Sequence, residues 1–182
     1  RRSAILLGMT AARILCLTLG PLLIGSFCAT AQDDAAISAV NFLRVNEEVC
    51  TGGQPSVEDI GQLKDQGVRS ILNLRRPSES PLWRDVKEEA DRLGLKYFNI
   101  PVDPSDLRDD QVDEFLELVD DENNRPIFIH CTVAGRVGGF WMIYRVLKHD
   151  WSFDEAEAEA REIGLRGPAL PDFARRYIEK NR

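Results

Sequence analysis

A cysteine and an arginine lie close together in the segment "IFIHCTVAGRVGGFW", residues 127–141. Cys131 follows an apolar, strand-like run, and Arg136 precedes a helix-like run. A helix N-terminus and a nearby guanidinium both lower the pKa of a thiol, and the thiolate is the nucleophilic form. The small residues Ala134 and Gly135 let backbone N–H groups turn inward around an anion, and an arginine can bind two phosphate oxygens as a fork. The pattern therefore predicts nucleophilic chemistry on an oxyanion, and the alternative is an inert cysteine packed at a strand end.

The residues around the cysteine are candidates for substrate binding. They flank or lie between the two catalytic candidates: His130, Thr132, Val133, Ala134, Gly135 and Val137. For the histidine two interpretations stay open, a hydrogen-bonding support for the loop or a simple core residue.

A general acid is expected on the loop after the segment "YFNIPV". Asp103 is the first candidate and Asp106 the second, with a solvated loop carboxylate as the alternative for either. Because an acid must hold its proton at neutral pH, we expect its pKa to be raised by partial burial. Arg75 and Arg76, at the end of another strand, could steer an anionic substrate or be solvated surface residues.

The elements that must position these residues alternate between strands and helices. Strands are predicted at 68–74, 95–100 and 126–130, after a hairpin around Asn46. Helices are predicted at 57–66, 81–93, 110–121, 137–149, 153–163 and about 170–181. This alternation predicts a single α/β domain with a mainly parallel central sheet of four or five strands flanked by helices. Ligands bind such sheets beyond the carboxyl ends of the strands, where Cys131 lies.

The segment "FIHCTVAGRVG" resembles the His-Cys…Arg signature of cysteine-dependent protein tyrosine and dual-specificity phosphatases. The similarity covers most of the chain after its first 31 residues, including "CTGGQPSVEDIGQLKDQGVRSILNLR" and "YFNIPVD". The resemblance implies a phosphatase-like fold, no cofactor and no metal. It also implies a phosphocysteine intermediate, in which Cys131 attacks phosphorus, Arg136 holds the phosphoryl oxygens and an Asp protonates the leaving oxygen. The substrate would be a phosphorylated protein or a small phosphomonoester.

This sequence departs from that signature in three places. Four residues, "TVAG", separate Cys131 from Arg136 where the family usually has five, and Val137 stands where a hydroxyl residue is usual. Asp103 comes one place earlier than the usual acid. Two alternatives therefore stay open: a rhodanese-like sulfurtransferase that carries a persulfide on Cys131, and a catalytically weak relative that binds phosphate esters.

The first 31 residues differ in composition from the rest. Arg13 precedes the uncharged run "ILCLTLGPLLIGSFC", and "ATA" at 29–31 supplies the small residues that precede a cleavage site. This pattern predicts a signal peptide at 1–31, a flexible leader at 32–40, a catalytic domain at 41–182 and a periplasmic or secreted location. The alternative is an uncleaved membrane anchor, although the run is shorter than the ~20 apolar residues that a spanning helix needs.

Charge and cysteine content narrow the partners further. Residues 1–31 hold three arginines and no acid, so the net charge of −7 becomes −10 after cleavage. Such a negative charge argues against nucleic acid or an anionic membrane surface as a partner.

Cleavage would also leave two of the four cysteines, Cys50 and Cys131. In an oxidising compartment these two could form a disulfide that silences the nucleophile.

Overall fold

A computed structural model of the chain describes residues 36–182. Its sheet has five strands, β1 (Leu43–Arg44), β2 (Val49–Gly52), β3 (Ser70–Asn73), β4 (Lys96–Asn99) and β5 (Ile127–His130). They lie in the order β1-β2-β5-β3-β4, and only the β1–β2 hairpin is antiparallel. The predicted hairpin and the mainly parallel sheet are therefore confirmed.

Six helices complete the domain: α1 (Val57–Asp65), α2 (Leu82–Arg92), α3 (Asp109–Asp120), α4 (Gly135–His149), α5 (Phe153–Ile163) and α6 (Ala169–Asn181). Their bounds lie within two residues of the predicted ones, because the signals that end them are local. Ser56 caps α1 with a reciprocal Ser56–Asp59 capping box, and Ser152 caps α5 with Glu155 in the same way. Among residues 36–182, none of these helices is long and apolar enough to cross a membrane.

The helices cover both faces of the sheet. Because successive strand residues point to opposite faces, Ile127 and Ile129 of β5 pack in the core formed with α3–α6, while Phe128 packs in the smaller core formed with α1 and α2. Two glycines of α4 permit the close packing of its neighbours. A Cβ on Gly138 would come within 2.6 Å of the Ala160 carbonyl oxygen on α5, and one on Gly139 within 2.8 Å of Leu170 on α6.

The position of β5 matters most for function. The chain moves from β3 outward to β4, then returns to place β5 on the other side of β3. The helix after β3 packs on one face of the sheet and the helix after β5 on the other. The carboxyl ends of β3 and β5 therefore flank a crevice at a topological switch point, where open α/β sheets bind ligands.

The packed domain begins before residue 41. The backbone N–H and the hydroxyl of Ser38 donate to the Asp59 carboxylate at 2.7 and 2.8 Å, and Ala39 is buried. Residues 36–40 of the predicted leader thus belong to the described part of the chain, whereas the predicted signal peptide lies outside it.

Candidate active site

Cys131 lies directly after β5, at the edge of the crevice. Its backbone N–H donates to the carbonyl of Gly52, and its residue is only 2% exposed. The side chain lines a cavity of about 250 Å³ together with Arg136, Thr132 and Arg166. The structure thus brings the two predicted catalytic residues into one cavity.

The loop after Cys131 turns backbone amides toward this cavity. Ala134 precedes α4 with left-handed backbone angles, φ 64° and ψ 0°, a conformation that side chains other than glycine rarely adopt. Gly138 makes the first helical hydrogen bond back to Ala134. The amides of residues 135–137 precede that bond and, as in any first helical turn, have no acceptor within the helix. They are suited to bind an anion, and the positive end of the α4 dipole adds to this.

The predicted binding residues of the loop fall into two groups. Thr132 and Val133 are exposed, and Val133 is 51% exposed at the cavity lining. Ala134 and Val137 are fully buried, so neither side chain is available to a substrate. Val137, in the place of the usual hydroxyl residue, packs in the core around α4.

Arg136 is anchored by a residue that the sequence analysis missed. Its Nη1 and Nη2 donate to the two carboxylate oxygens of Glu79, each at 2.7 Å. Nη1 also donates to the carbonyls of Leu74 and Val102 at 3.2 and 2.8 Å, and Nη2 to the Thr132 hydroxyl at 2.9 Å. Burial opposes the charge of Arg136, but Glu79 and the adjacent Cys131 outweigh it and raise the pKa of the guanidinium.

Glu79 ends a 3₁₀ turn, Pro77–Glu79, that follows β3. Its hydrogen bonds from Arg136 hold the pKa of the carboxyl far below its usual value, in spite of partial burial. Glu79 is therefore ionised at any pH near neutrality. The sequence did contain a signal for it, since an acid that closely follows a parallel strand lies at the same sheet edge as Cys131. The prediction from the sequence places only Arg75 and Arg76 of the segment "RRPSES" at this edge of the sheet.

Those two arginines differ from each other. Arg75 is 8% exposed and donates to the Gln54 side chain at 2.6 Å and to the Glu79 carbonyl at 3.1 Å, so it is a structural residue of the turn. Arg76 is half exposed and bridges Glu79 and Asp103.

Asp103 does not have the raised pKa expected of a general acid. Hydrogen bonds from the backbone and hydroxyl of Ser105 lower its pKa, and Arg76 lowers it further. Its carboxylate pairs directly with the Arg76 guanidinium. The alternative candidate, Asp106, has a 72% exposed side chain near Arg108. The expected raised pKa of Asp103 is therefore wrong for this arrangement.

His130 lies in the core, not in the loop. It is fully buried and stacks on Phe128, with ring centroids 5.6 Å apart. Neither ring nitrogen has a hydrogen-bond partner among residues 36–182. Burial lowers its pKa to about 3, so the ring is neutral. Of the two interpretations, this placement favours a core histidine, because the fully buried ring has no surface open to a substrate.

The sequence left open a disulfide between Cys50 and Cys131, and the structure excludes it. Both cysteines are free. Cys50 pairs with Phe128 across β2 and β5, and Cys131 lies three residues further along β5. At about 3.3 Å per residue the two are separated by roughly 10 Å along the strands, beyond the ~7 Å that a disulfide spans. They also belong to cores on opposite faces of the sheet.

Comparison with known proteins identifies the family. The family model described as "DSP-PTPase phosphatase fused to NAD+ Kinase" matches residues 29–166. A β-lactamase hydrolase-like protein of Agrobacterium fabrum is 32% identical over 92 residues, which are 49% of this chain and 21% of that protein. Inositol diphosphatase DSP5 of Arabidopsis thaliana is 28% identical over 103 residues, 54% of this chain and 49% of that one. This chain thus spans half or less of the length of either protein.

A solved structure shows the same fold. The core catalytic domain of the PP-IP phosphatase SIW14 from S. cerevisiae superposes with a TM-score of 0.66 at 24% identity, over 79% of this chain and 88% of that one. The crevice, the cysteine and the arginine described above are thus found in a chain that belongs to the family of DSP-PTPase phosphatases, cysteine-dependent hydrolases of the protein tyrosine and dual-specificity type.

Proposed function

We propose that this chain hydrolyses phosphomonoesters through a phosphocysteine intermediate on Cys131. The Sγ thiolate attacks phosphorus, the P–O bond to the leaving group breaks, and the leaving oxygen takes a proton. Water then attacks the phosphocysteine, the S–P bond breaks, and inorganic phosphate and the thiolate are released. The observation that carries the proposal is the shared cavity, in which Cys131, Arg136 and the N-terminus of α4 converge.

Each part of that cavity supports one requirement of the reaction. The amides of the loop and the guanidinium of Arg136 can bind the phosphoryl oxygens, whose charge grows in the transition state. The cavity is small, at about 250 Å³, and Cys131 lies on its wall. The loop needs no fifth intervening residue for this convergence, because left-handed Ala134 already turns the backbone into α4.

Protonation of the leaving group is the step for which the site is least well arranged, because no protonated acid is in place. Asp103 can act as the acid only if its carboxylate leaves Arg76 and takes up a proton. We therefore propose that the best substrates have leaving groups that are weak bases, because such groups depart without a protonated acid.

This feature also favours a second substrate class beside the phosphomonoesters, the inositol diphosphates, in which the bond broken is a phosphoanhydride. A departing phosphate is a weaker base than an alkoxide, and Arg166 adds an exposed cation to the cavity lining for further phosphates. The names of the Arabidopsis and yeast relatives, an inositol diphosphatase and a PP-IP phosphatase, are consistent with this class. A diphosphoinositol should then be hydrolysed faster than phosphoserine peptides, and equal rates would contradict the assignment.

The test of the reaction is hydrolysis of p-nitrophenyl phosphate by residues 32–182 under reducing conditions, beside Cys131→Ser and the matched control Cys50→Ser. We expect activity in the wild type and the control and none in Cys131→Ser. Mass spectrometry of acid-quenched protein should detect phosphate on the peptide that contains Cys131. Transfer of sulfur from thiosulfate to cyanide, without phosphate release, would instead support the sulfurtransferase.

We also propose that the chain is exported, with the mature protein beginning at Gln32 in the periplasm or outside the cell. The uncharged run before "ATA" supports this proposal. Cell fractionation with N-terminal sequencing would test it. Recovery of uncleaved chain in the cytoplasm would contradict export.

A further inference from the structure

A turn that precedes the first strand packs against the outer side of the cysteine loop. This turn, residues 38–42, is fixed to the rest of the domain. The N–H and hydroxyl of Ser38 both donate to a carboxylate of α1, and Ala39 is buried in the smaller core. The Val40 carbonyl accepts from the backbone N–H of Gly53 at 2.7 Å. The turn therefore has supports that do not depend on the cysteine loop.

Asn41 connects this turn to the loop. Its Nδ2 donates to the backbone carbonyl of Val133 at 3.0 Å. Because a carbonyl can only accept, the side-chain amide must present its NH₂ group there. The backbone of Asn41 is left-handed, with φ 55°, a conformation that Asn adopts more readily than most side chains. One residue earlier in the loop, the Thr132 carbonyl accepts from the backbone N–H of Gln54 at 3.2 Å. Two successive carbonyls of the loop are thus held by donors outside it.

The space around the Val133 carbonyl is confined. Gly164 follows α5 with φ 139°, and a Cβ at this position would lie 2.8 Å from the Val133 oxygen and 3.3 Å from Asn41 Nδ2. The oxygen and the amide that binds it are therefore enclosed between the turn and the end of α5. In such a space the Asn41 side chain has little freedom to turn away.

The consequence for anion binding follows from the geometry of the peptide unit. In a trans peptide the C=O and the next N–H point in opposite directions, and both peptides concerned are trans. Because the carbonyls of Thr132 and Val133 are held on the outer side, the N–H groups of Val133 and Ala134 point to the inner side of the loop, which begins at Cys131. These two amides extend the cradle formed by the amides of residues 135–137.

We propose that Asn41 is a positioning residue, which orients the Val133–Ala134 peptide so that the Ala134 N–H faces the phosphoryl group on Cys131. This inference rests on the proposed phosphatase reaction and adds to it a residue that precedes the first strand. Asn41 does not touch the substrate, because it acts through the peptide whose carbonyl it binds. An amide that is oriented in advance needs no reorganisation when charge develops on the phosphoryl oxygens.

Substitution by Gly is the most selective change. Glycine adopts the left-handed conformation at no steric cost, so Asn41→Gly should keep the path of the turn and remove only the donor. Asn41→Asp keeps the shape of the side chain but places an acceptor against the Val133 carbonyl. The matched control is Asp150→Gly. Asp150 is also left-handed, with φ 56°, but it lies after the far end of α4.

Titration of the ¹⁵N-labelled protein with inorganic phosphate, followed by ¹H–¹⁵N NMR, tests the proposal. In the wild type we expect phosphate to move the amide protons of Val133 and Ala134 downfield, as hydrogen bonding to an anion does. In Asn41→Gly the Ala134 shift should become smaller, and the Kd for phosphate should rise roughly 3- to 10-fold, the effect of one misplaced hydrogen bond. Asp150→Gly should match the wild type in both measurements.

The outcomes separate this inference from the proposed reaction. If the wild type binds phosphate but does not hydrolyse p-nitrophenyl phosphate, the reaction fails, and a smaller Ala134 shift in Asn41→Gly still supports the positioning role. An unchanged Ala134 shift and Kd in Asn41→Gly would overturn the proposal, as would a wild type in which phosphate does not move this amide. An equal change in Asp150→Gly would also overturn it, because added backbone freedom would then be sufficient. If Asn41→Gly does not fold, Asn41→Asp is judged by the same two measurements.

Discussion

The two cysteines of the described domain lie on adjacent strands and are almost equally buried, yet their surroundings differ in kind. Cys50 is 1% exposed in the middle of β2, where its Sγ donates to the Ile127 carbonyl. Burial raises the pKa of its thiol to about 12. Cys131 is 2% exposed but lies one residue past the end of β5, on the wall of a cavity and beside Arg136.

Burial therefore does not decide which cysteine can react. The position relative to the strand end distinguishes the two cysteines. At the strand end the backbone leaves the hydrogen-bonded sheet, and its amides can turn toward a ligand. Four experiments test the difference between the two cysteines and their surroundings, and the first has the largest expected effect.

Substitution of serine for each cysteine in turn should affect kcat very differently. Cys131→Ser should lower kcat for p-nitrophenyl phosphate by at least about 10³-fold, because a serine hydroxyl is not ionised at neutral pH. Cys50→Ser should retain the wild-type kcat. Initial rates under reducing conditions measure both, and a Cys131→Ser enzyme with substantial activity would remove Cys131 as the nucleophile.

The arginine beside Cys131 should tolerate little change. Arg136→Lys should lower kcat/KM by roughly 10²-fold, because an ammonium cannot hold both the Glu79 carboxylate and two phosphoryl oxygens as a planar fork. The control is Arg161→Lys on the exposed face of α5, where Arg161 pairs with Glu157. Wild-type kinetics in Arg136→Lys would show that the guanidinium is not part of the anion site.

The two thiols should differ in their reaction with iodoacetamide in the folded protein. Because the pKa of Cys50 is raised to about 12, its thiol stays protonated throughout the neutral range and should not react below about pH 10. Cys131 should be labelled first at pH 7, and inorganic phosphate should slow the reaction. Peptide mapping by mass spectrometry identifies the labelled residue. Labelling of Cys50 at the same rate as Cys131 would contradict the assigned environments.

The smallest effect is expected for Cys50→Ala. It removes one buried sulfur from the core between the sheet and helices α1 and α2, which should lower the free energy of unfolding by about 1 kcal/mol. Its activity should equal that of the wild type under both oxidising and reducing conditions, because no disulfide joins the two cysteines. Urea denaturation measures the loss of stability, and activity assays measure the redox dependence. A redox-dependent activity that disappears in Cys50→Ala would contradict the absence of a disulfide between Cys50 and Cys131.

Local signals in the sequence were sufficient for the elements and for the cysteine loop. The capping boxes of Ser56 and Ser152 and the alternation around Asn46 each act on residues near them in the chain, so their structural effects can be recognised without a fold. The proximity of Cys131 and Arg136 can also be recognised from the sequence, because a single short loop connects them.

The groups that meet at that loop from distant parts of the chain depend on the tertiary structure. Glu79 reaches Arg136 across 57 residues of chain because β5 lies next to β3. Asp103 pairs with Arg76 because the ends of β3 and β4 are adjacent, and Cys50 faces away from Cys131 because of the strand register. Hydrophobic periodicity specifies which face of a strand is buried, but it does not specify the order of strands in the sheet. Because the ionic partners of the cysteine loop depend on that order, the sequence specified the pair Cys131 and Arg136, while the fold determined how Arg136 is held.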